Sequence, residues 1–87
     1  MEIIFSKKAW EDYIDWQTED RKVLKKINEM IREIQRTPYE GTGKPEALRY
    51  ELAGLWSRRI TLEHRLVYKV VDDKVFVLAC KYHYDKL

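Results

Sequence analysis

Arg65-Leu-Val-Tyr-Lys-Val-Val71, Asp72-Asp73 and Lys74-Val-Phe-Val-Leu-Ala-Cys-Lys-Tyr-His-Tyr84 form one continuous stretch. Runs of β-branched and aromatic residues on either side of a pair of aspartates predict two strands, Arg65–Val71 and Val75–Tyr84, joined by a turn. Side chains alternate between the two faces of a sheet, so parity assigns them. Leu66, Tyr68, Val70, Phe76, Leu78, Cys80 and Tyr82 are all even-numbered and nearly all apolar, which predicts that the even set faces the core. Keeping both even sets together requires cross-strand partners whose numbers sum to an even value, hence an odd loop such as 72–74. Arg65, Lys81 and His83 then share the opposite face, and Arg59 joins them by the same parity on the preceding strand.

Further strands are predicted upstream, about Arg49–Leu52 and Trp56–Thr61, separated by Gly54 and followed by a break at Glu63-His64. Thr37-Pro-Tyr-Glu-Gly-Thr-Gly-Lys-Pro-Glu46 holds both prolines and two of the three glycines, so it is an ordered loop or lid. Before it, Leu24, Ile27, Ile31 and Ile34 repeat at helical spacing and predict a helix over Arg21–Arg36, stopped by Pro38. A first helix, Lys7–Gln17, is expected to bury a stripe of Trp10, Tyr13, Ile14 and Trp16, with Glu11, Asp12 and Asp15 on the other side. Ser6 and Asp20 are its candidate cap and that of the second helix, with Thr18 an alternative. Residues 2–6 read as a short strand. The expected fold class is α+β: two N-terminal helices packed on one face of a twisted, mainly antiparallel sheet, in chain order β-α-α-β-β-β-β.

A chain of 87 residues with 45% hydrophobic content is expected to form a single domain, 1–87. The longest apolar run, Val75 to Cys80, is far below the roughly 20 residues of a membrane helix, and Met1-Glu2-Ile3 opens no signal peptide. With Cys80 the sole cysteine, no internal disulfide can form, and a reducing cytoplasm is the expected setting. The net charge is only +2. Its distribution is uneven, however: Lys44, Arg49, Arg58, Arg59, Arg65 and Lys69 lie in one stretch with only Glu46, Glu51 and Glu63 among them. Such a surface suits a polyanion.

A basic, partly aromatic sheet face bearing a glutamate and a histidine suits RNA chemistry. Splitting a phosphodiester by its own 2′-hydroxyl needs a base, an acid for the leaving 5′-oxygen and a fixed cation for the phosphate. Glu46, His83 and Arg65 supply those side-chain types, and Tyr84 could orient the substrate or stack on a base. The residues alone leave other roles open. On that basis Glu46 reads more readily as a solvated loop carboxylate and His83 as a strand-end histidine, while Arg65 reads equally as a structural partner of Glu63 or Glu51. His64 reads as a turn residue, Cys80 as packing, and Trp10, Tyr13, Trp16 and Trp56 as core or interface. Neither a zinc-ligand pattern nor a glycine-rich phosphate loop is present, so no metal or cofactor is expected.

Thr37–Glu46, Leu55-Trp-Ser-Arg-Arg-Ile-Thr-Leu-Glu-His-Arg-Leu-Val-Tyr68 and Ala79-Cys-Lys-Tyr-His-Tyr84 together closely resemble the YoeB toxins. These belong to the RelE/ParE superfamily of bacterial toxin–antitoxin modules. The resemblance implies a RelE/ParE-like fold and a ribosome-dependent endoribonuclease that cuts mRNA in the A site. By the same resemblance Glu46 is the general base, His83 the general acid, Arg65 the phosphate-stabilising cation and Tyr84 a substrate-positioning group. Lys44, Arg49 and Arg59 match positions that hold RNA backbone, Arg49 standing where some relatives carry lysine. Asp85-Lys86-Leu87 extends past the usual tyrosine ending. A YefM-type antitoxin is implied as partner, DNA is reached only through it, and a homodimer is compatible with the resemblance. Two competing readings remain: a non-catalytic ParE-like inhibitor or interaction module of the same fold, and a free-standing RNA-binding domain.

Overall fold

Ser6 ends the first strand and starts the first helix with one hydroxyl. Its Oγ accepts from the Ala9 amide at 3.1 Å and donates to the Leu78 carbonyl at 3.1 Å, so the cap is also tied to the sheet. The computed structural model describes residues 1–83. In chain order these form β1 (Glu2–Phe5), α1 (Lys7–Glu19), α2 (Arg21–Ile34), β2 (Glu46–Ala47), a 3₁₀ turn at Tyr50–Leu52, β3 (Trp56–Arg59), β4 (Arg65–Val71) and β5 (Lys74–Ala79). Asp20 caps α2 by accepting from the Lys22 and Val23 amides. The five strands lie in the order β1-β5-β4-β3-β2, with β1 parallel to β5 and every other pair antiparallel. This is the expected α+β architecture. Among the described residues, no helix is long and apolar enough to cross a membrane.

Both helices cover one face of the sheet. Ile27, Met30, Ile31 and Ile34 of α2 pack with Ile60, Leu66, Tyr68, Val75 and Val77 in the main core. The buried stripe of α1 differs from the expected one: Ala9, Asp12 and Trp16 are inside, whereas Trp10 is 52% and Ile14 43% exposed. The reason is polar. Asp12 Oδ2 accepts from the Cys80 amide at 3.0 Å, and the Trp16 indole donates to the Cys80 carbonyl at 2.8 Å. The helix is therefore rotated to satisfy backbone groups at the end of β5, and Trp10 stacks on Tyr13 outside.

Parity across the hairpin also departs from the expectation. Asp72 and Asp73 both adopt positive φ, 49° and 62°, and make a two-residue turn, so Val71 pairs with Lys74 and Tyr68 with Val77. Partner numbers then sum to an odd value. Val75 and Val77 take the helix side, and Phe76 and Leu78 the other. A bulge at Leu78 restores the expected phase, since Val67 pairs with Ala79, and Cys80 returns to the main core. The strand ends there rather than at Tyr84. Lys81 turns to the helix side, where it pairs with Glu19 at 2.7 Å and Asp15 at 3.5 Å, so it does not share a face with Arg65. The hydrogen bond to Glu19 holds its ammonium above the ordinary lysine range. Arg49–Leu52 is not a strand: β2 is the shorter Glu46–Ala47, and a 3₁₀ turn follows it.

Arg58, counted above with the basic surface, is fully buried. Its guanidinium pairs with Glu33 of α2 and donates to the carbonyls of Thr37, Pro38, Glu40 and Thr42 and to the Tyr68 hydroxyl. Tyr68 in turn donates to the Pro38 carbonyl at 2.6 Å, and burial pushes its hydroxyl pKa up. One arginine thereby binds a helix, a strand and the whole 37–42 loop.

Replacing Arg58 by Met is expected to cost about 3–5 kcal/mol in urea unfolding, because Glu33 and the loop carbonyls lose their donor. The Glu33 carboxylate is held below its ordinary value of 4.5, first by the Thr42 amide and then by Arg58. Its contribution to stability is complete above the unfolded carboxylate's pKa and is lost as pH falls through the lowered folded value. Unfolding curves from neutral to acidic pH should therefore decline more steeply for the wild type than for Glu33→Gln. Equal slopes would remove Glu33 from the clamp.

Candidate active site

The 37–45 loop delivers its residues to the sheet by close backbone approach. Glu33 receives the Thr42 amide at 2.7 Å and the Thr42 hydroxyl at 3.1 Å, and Arg59 N–H donates to the Gly43 carbonyl at 2.7 Å. Gly43 has φ 86°, and a Cβ there would stand 2.8 Å from both the Arg59 carbonyl oxygen and Met30 Cε. Only glycine fits. Lys44 follows in left-handed conformation, φ 51°, and Glu46 enters β2 opposite Ser57.

On β3 and β4, Arg59 pairs directly with Arg65. Glu46, Ser57, Arg59 and Arg65 thus lie on the sheet face away from the helices. Together with Gly43 and Lys44 they line a cleft of about 110 Å³. Beneath this face Leu48, Val67 and Ala79 form a second small apolar cluster. The Glu46 carboxylate is exposed, while Arg65 is half-buried and its Nη1 is buried without a hydrogen-bond partner among the described residues. Such an orphaned donor is rare in a folded protein and is suited to an anionic ligand. Among the described residues, neither Glu63 nor Glu51 forms an ion pair with it.

Of the basic residues expected to hold RNA backbone, Lys44 and Arg59 line this cleft. Arg49 lines a neighbouring groove of about 330 Å³ with Glu46, Ala47, Leu48, Tyr50 and Leu52. Glu46 borders both. Past β5, the Arg65 amide donates to the Tyr82 carbonyl at 3.0 Å. His83, half-buried, is the next residue, so its backbone begins one peptide bond from the group that Arg65 holds. Tyr84 lies outside the described residues. Cys80 is buried, and its thiol pKa is pushed up to about 12, which leaves it without nucleophilic character at neutral pH.

Sequence reasoning missed two residues near this cleft. Arg58 is indistinguishable from Arg59 in the sequence; only strand phase sends one guanidinium inward and the other out. His64, read as a turn residue, accepts the Tyr82 amide on Nδ1 at 2.7 Å and packs edge-on against Trp16. Its only sequence signal is adjacency to Arg65. The arrangement as a whole offers a carboxylate, a guanidinium with one buried nitrogen unsatisfied among the described residues, and two further cations within one small cleft. It can bind a phosphodiester and take a proton from a group beside it.

Residues 5–84 match the family described as the YoeB-like toxin of bacterial type II toxin–antitoxin systems. Toxin YoeB of Escherichia coli K12 is 56% identical over 84 residues, covering 97% of this chain and 100% of its own. The structure of a YoeB/ParE toxin from Agrobacterium tumefaciens is 45% identical and superposes with a TM-score of 0.94, covering 97% of this chain and 100% of its own. A Staphylococcus aureus YoeB, 50% identical, has been solved as a dimer, TM-score 0.90, and in a heterotetrameric complex with YefM, TM-score 0.89. Each covers 97% of this chain and 98% of the staphylococcal one.

The orphaned Arg65 donor sets up a trade between stability and binding. Arg65→Met is expected to gain about 1 kcal/mol, near 4–8 °C in Tm, because it removes an unsatisfied buried N–H. Millimolar inorganic phosphate at constant ionic strength should raise the Tm of the wild type and leave that of the variant unchanged. A less stable variant that still responds to phosphate would show that Arg65 is structural.

Proposed function

The chain belongs to the YoeB-like toxins of bacterial type II toxin–antitoxin systems, and we propose that it is a ribosome-dependent endoribonuclease cutting mRNA in the A site. The observation that carries the reading is the cleft itself: Glu46 shares it with Arg65, whose Nη1 has no hydrogen-bond partner among the described residues, with Lys44 and Arg59 on its walls. In the proposed reaction Glu46 takes the proton of the 2′-hydroxyl as that oxygen attacks the adjacent phosphorus. The bond from phosphorus to the 5′-oxygen breaks, and His83, as imidazolium, gives its proton to the leaving oxygen. Arg65 neutralises charge on the phosphate, and Tyr84 positions the substrate. Lys44, Arg49 and Arg59 hold the flanking backbone, contacts that place RNA without reacting with it.

Proposed partners follow from the same surface. A YefM-type antitoxin, of the kind bound to the staphylococcal relative, would cover this basic face with an acidic segment that orders on binding. A homodimer like that of the staphylococcal toxin is the proposed free form. Activity on translating ribosomes places the protein in the cytoplasm.

The expected products are a 2′,3′-cyclic phosphate and a 5′-hydroxyl, identified by end-labelling of mRNA cut on programmed ribosomes. A 2′-deoxy target nucleotide should not be cut. His83→Ala should lower the single-turnover rate by about 10²–10⁴-fold with ribosome affinity retained. Lys44→Gln and Arg59→Gln should instead weaken and flatten the salt-dependent binding. A 5′-phosphate product would make water the nucleophile and remove the roles given to Glu46 and His83.

A further inference from the structure

We propose that His64 is a positioning residue for the terminal segment that carries His83, acting through the Tyr82 backbone. Its consequence for cleavage rests on the ribonuclease reading; its geometry does not.

Strand β5 stops at Ala79, so the backbone of Cys80, Lys81 and Tyr82 has left the ladder. Cys80 is held from the helix side by Asp12 and Trp16. Tyr82 is held from the other direction by two consecutive residues, His64 just before β4 and Arg65 at its start. Its N–H donates to His64 Nδ1 at 2.7 Å, and its carbonyl accepts from the Arg65 amide at 3.0 Å. Tyr82 has φ 62°, a left-handed conformation that a tyrosine keeps only where its surroundings specify it. These two hydrogen bonds are that specification, and they set the direction in which the chain proceeds to His83.

His64 is built to hold still. The Ile60 and Thr61 amides donate to its carbonyl at 2.9 and 3.2 Å, and its own amide donates to the Thr61 hydroxyl at 3.1 Å. Its ring meets the buried Trp16 edge-on, with centroids 4.7 Å apart and planes at 87°. The Tyr82 ring lies 5.4 Å away on another side. Accepting at Nδ1 requires the proton on Nε2, and Glu63 Oε1 lies 3.6 Å from that nitrogen, which favours this tautomer. Adjacent side chains thus serve one purpose: Arg65 presents a guanidinium to the cleft, and His64 sets the path of the segment bearing the proposed acid.

The test separates the Nδ1 acceptor from the bulk of the ring. His64→Asn keeps an acceptor near the δ position, and His64→Gln moves it one atom outward; both lose the ring against Trp16. In the free protein, amide hydrogen exchange at Tyr82 should accelerate in His64→Gln and stay close to wild type in His64→Asn. On programmed ribosomes, His64→Gln should lose about 10²-fold in single-turnover cleavage at saturating ribosome, the scale expected for a displaced reacting group, with binding unchanged. His64→Asn should recover most of that rate. Equal losses in the two variants, or a Tyr82 amide still protected in His64→Gln, would overturn the proposal. If the wild type cut no RNA, the ribonuclease reading would fall, and Tyr82 exchange alone would decide whether His64 holds the segment.

Discussion

Arg58 is the constraint on which the rest of this small fold depends. A guanidinium cannot be left bare in a core, so everything around it is arranged to supply acceptors: Glu33 from α2, the Tyr68 hydroxyl from β4, and four carbonyls from a single loop. That demand converts a proline- and glycine-containing connection into an ordered one. It brings Gly43 against Arg59, and with Gly43 come Lys44 and Glu46. Geometry at the cleft is thus inherited from a charge that never reaches it.

The end of β5, beside the same cleft, is organised by a comparable exchange of partners. Where β5 leaves its neighbour, α1 takes over through Asp12 and Trp16, then His64 and the first residue of β4, Arg65. The amides and carbonyls of Cys80 and Tyr82, released from the ladder, each meet a side chain or an amide, as buried polar groups must. The bulge at Leu78 makes this possible by restoring the phase that turns Cys80 inward. Asp12 and Trp16 are spent on this task, which leaves Trp10 exposed and stacked on the half-buried Tyr13.

Three arginines show how environment assigns roles to one residue type. Arg58 is buried and fully partnered, Arg59 is exposed on the cleft wall, and Arg65 is half-buried with one nitrogen unpartnered among the described residues. The first stabilises, the second can attract, and the third is poised to bind. Charge along the chain locates a basic surface but does not sort its members.

The sequence by itself determined the sheet-on-helices class and most of its elements, because hydrophobic period, caps and breakers are local properties; the expected strand at Arg49–Leu52 was the exception, a 3₁₀ turn following the shorter β2. Ile27, Ile31 and Ile34, Ser6, Asp20 and Pro38 each carry their own signal. The candidate residues Glu46, Arg65 and His83 were legible through likeness to a family, since a lone glutamate, arginine or histidine has no signature of its own. Tertiary structure alone decided which face each side chain takes. A two-residue turn in place of an odd loop reversed the phase of Val75 and Val77, and one bulge reversed it again. The same holds for Asp12, Arg58, His64 and Lys81: each is placed by a backbone or charged partner distant in the chain, and periodicity contains no information about such partners.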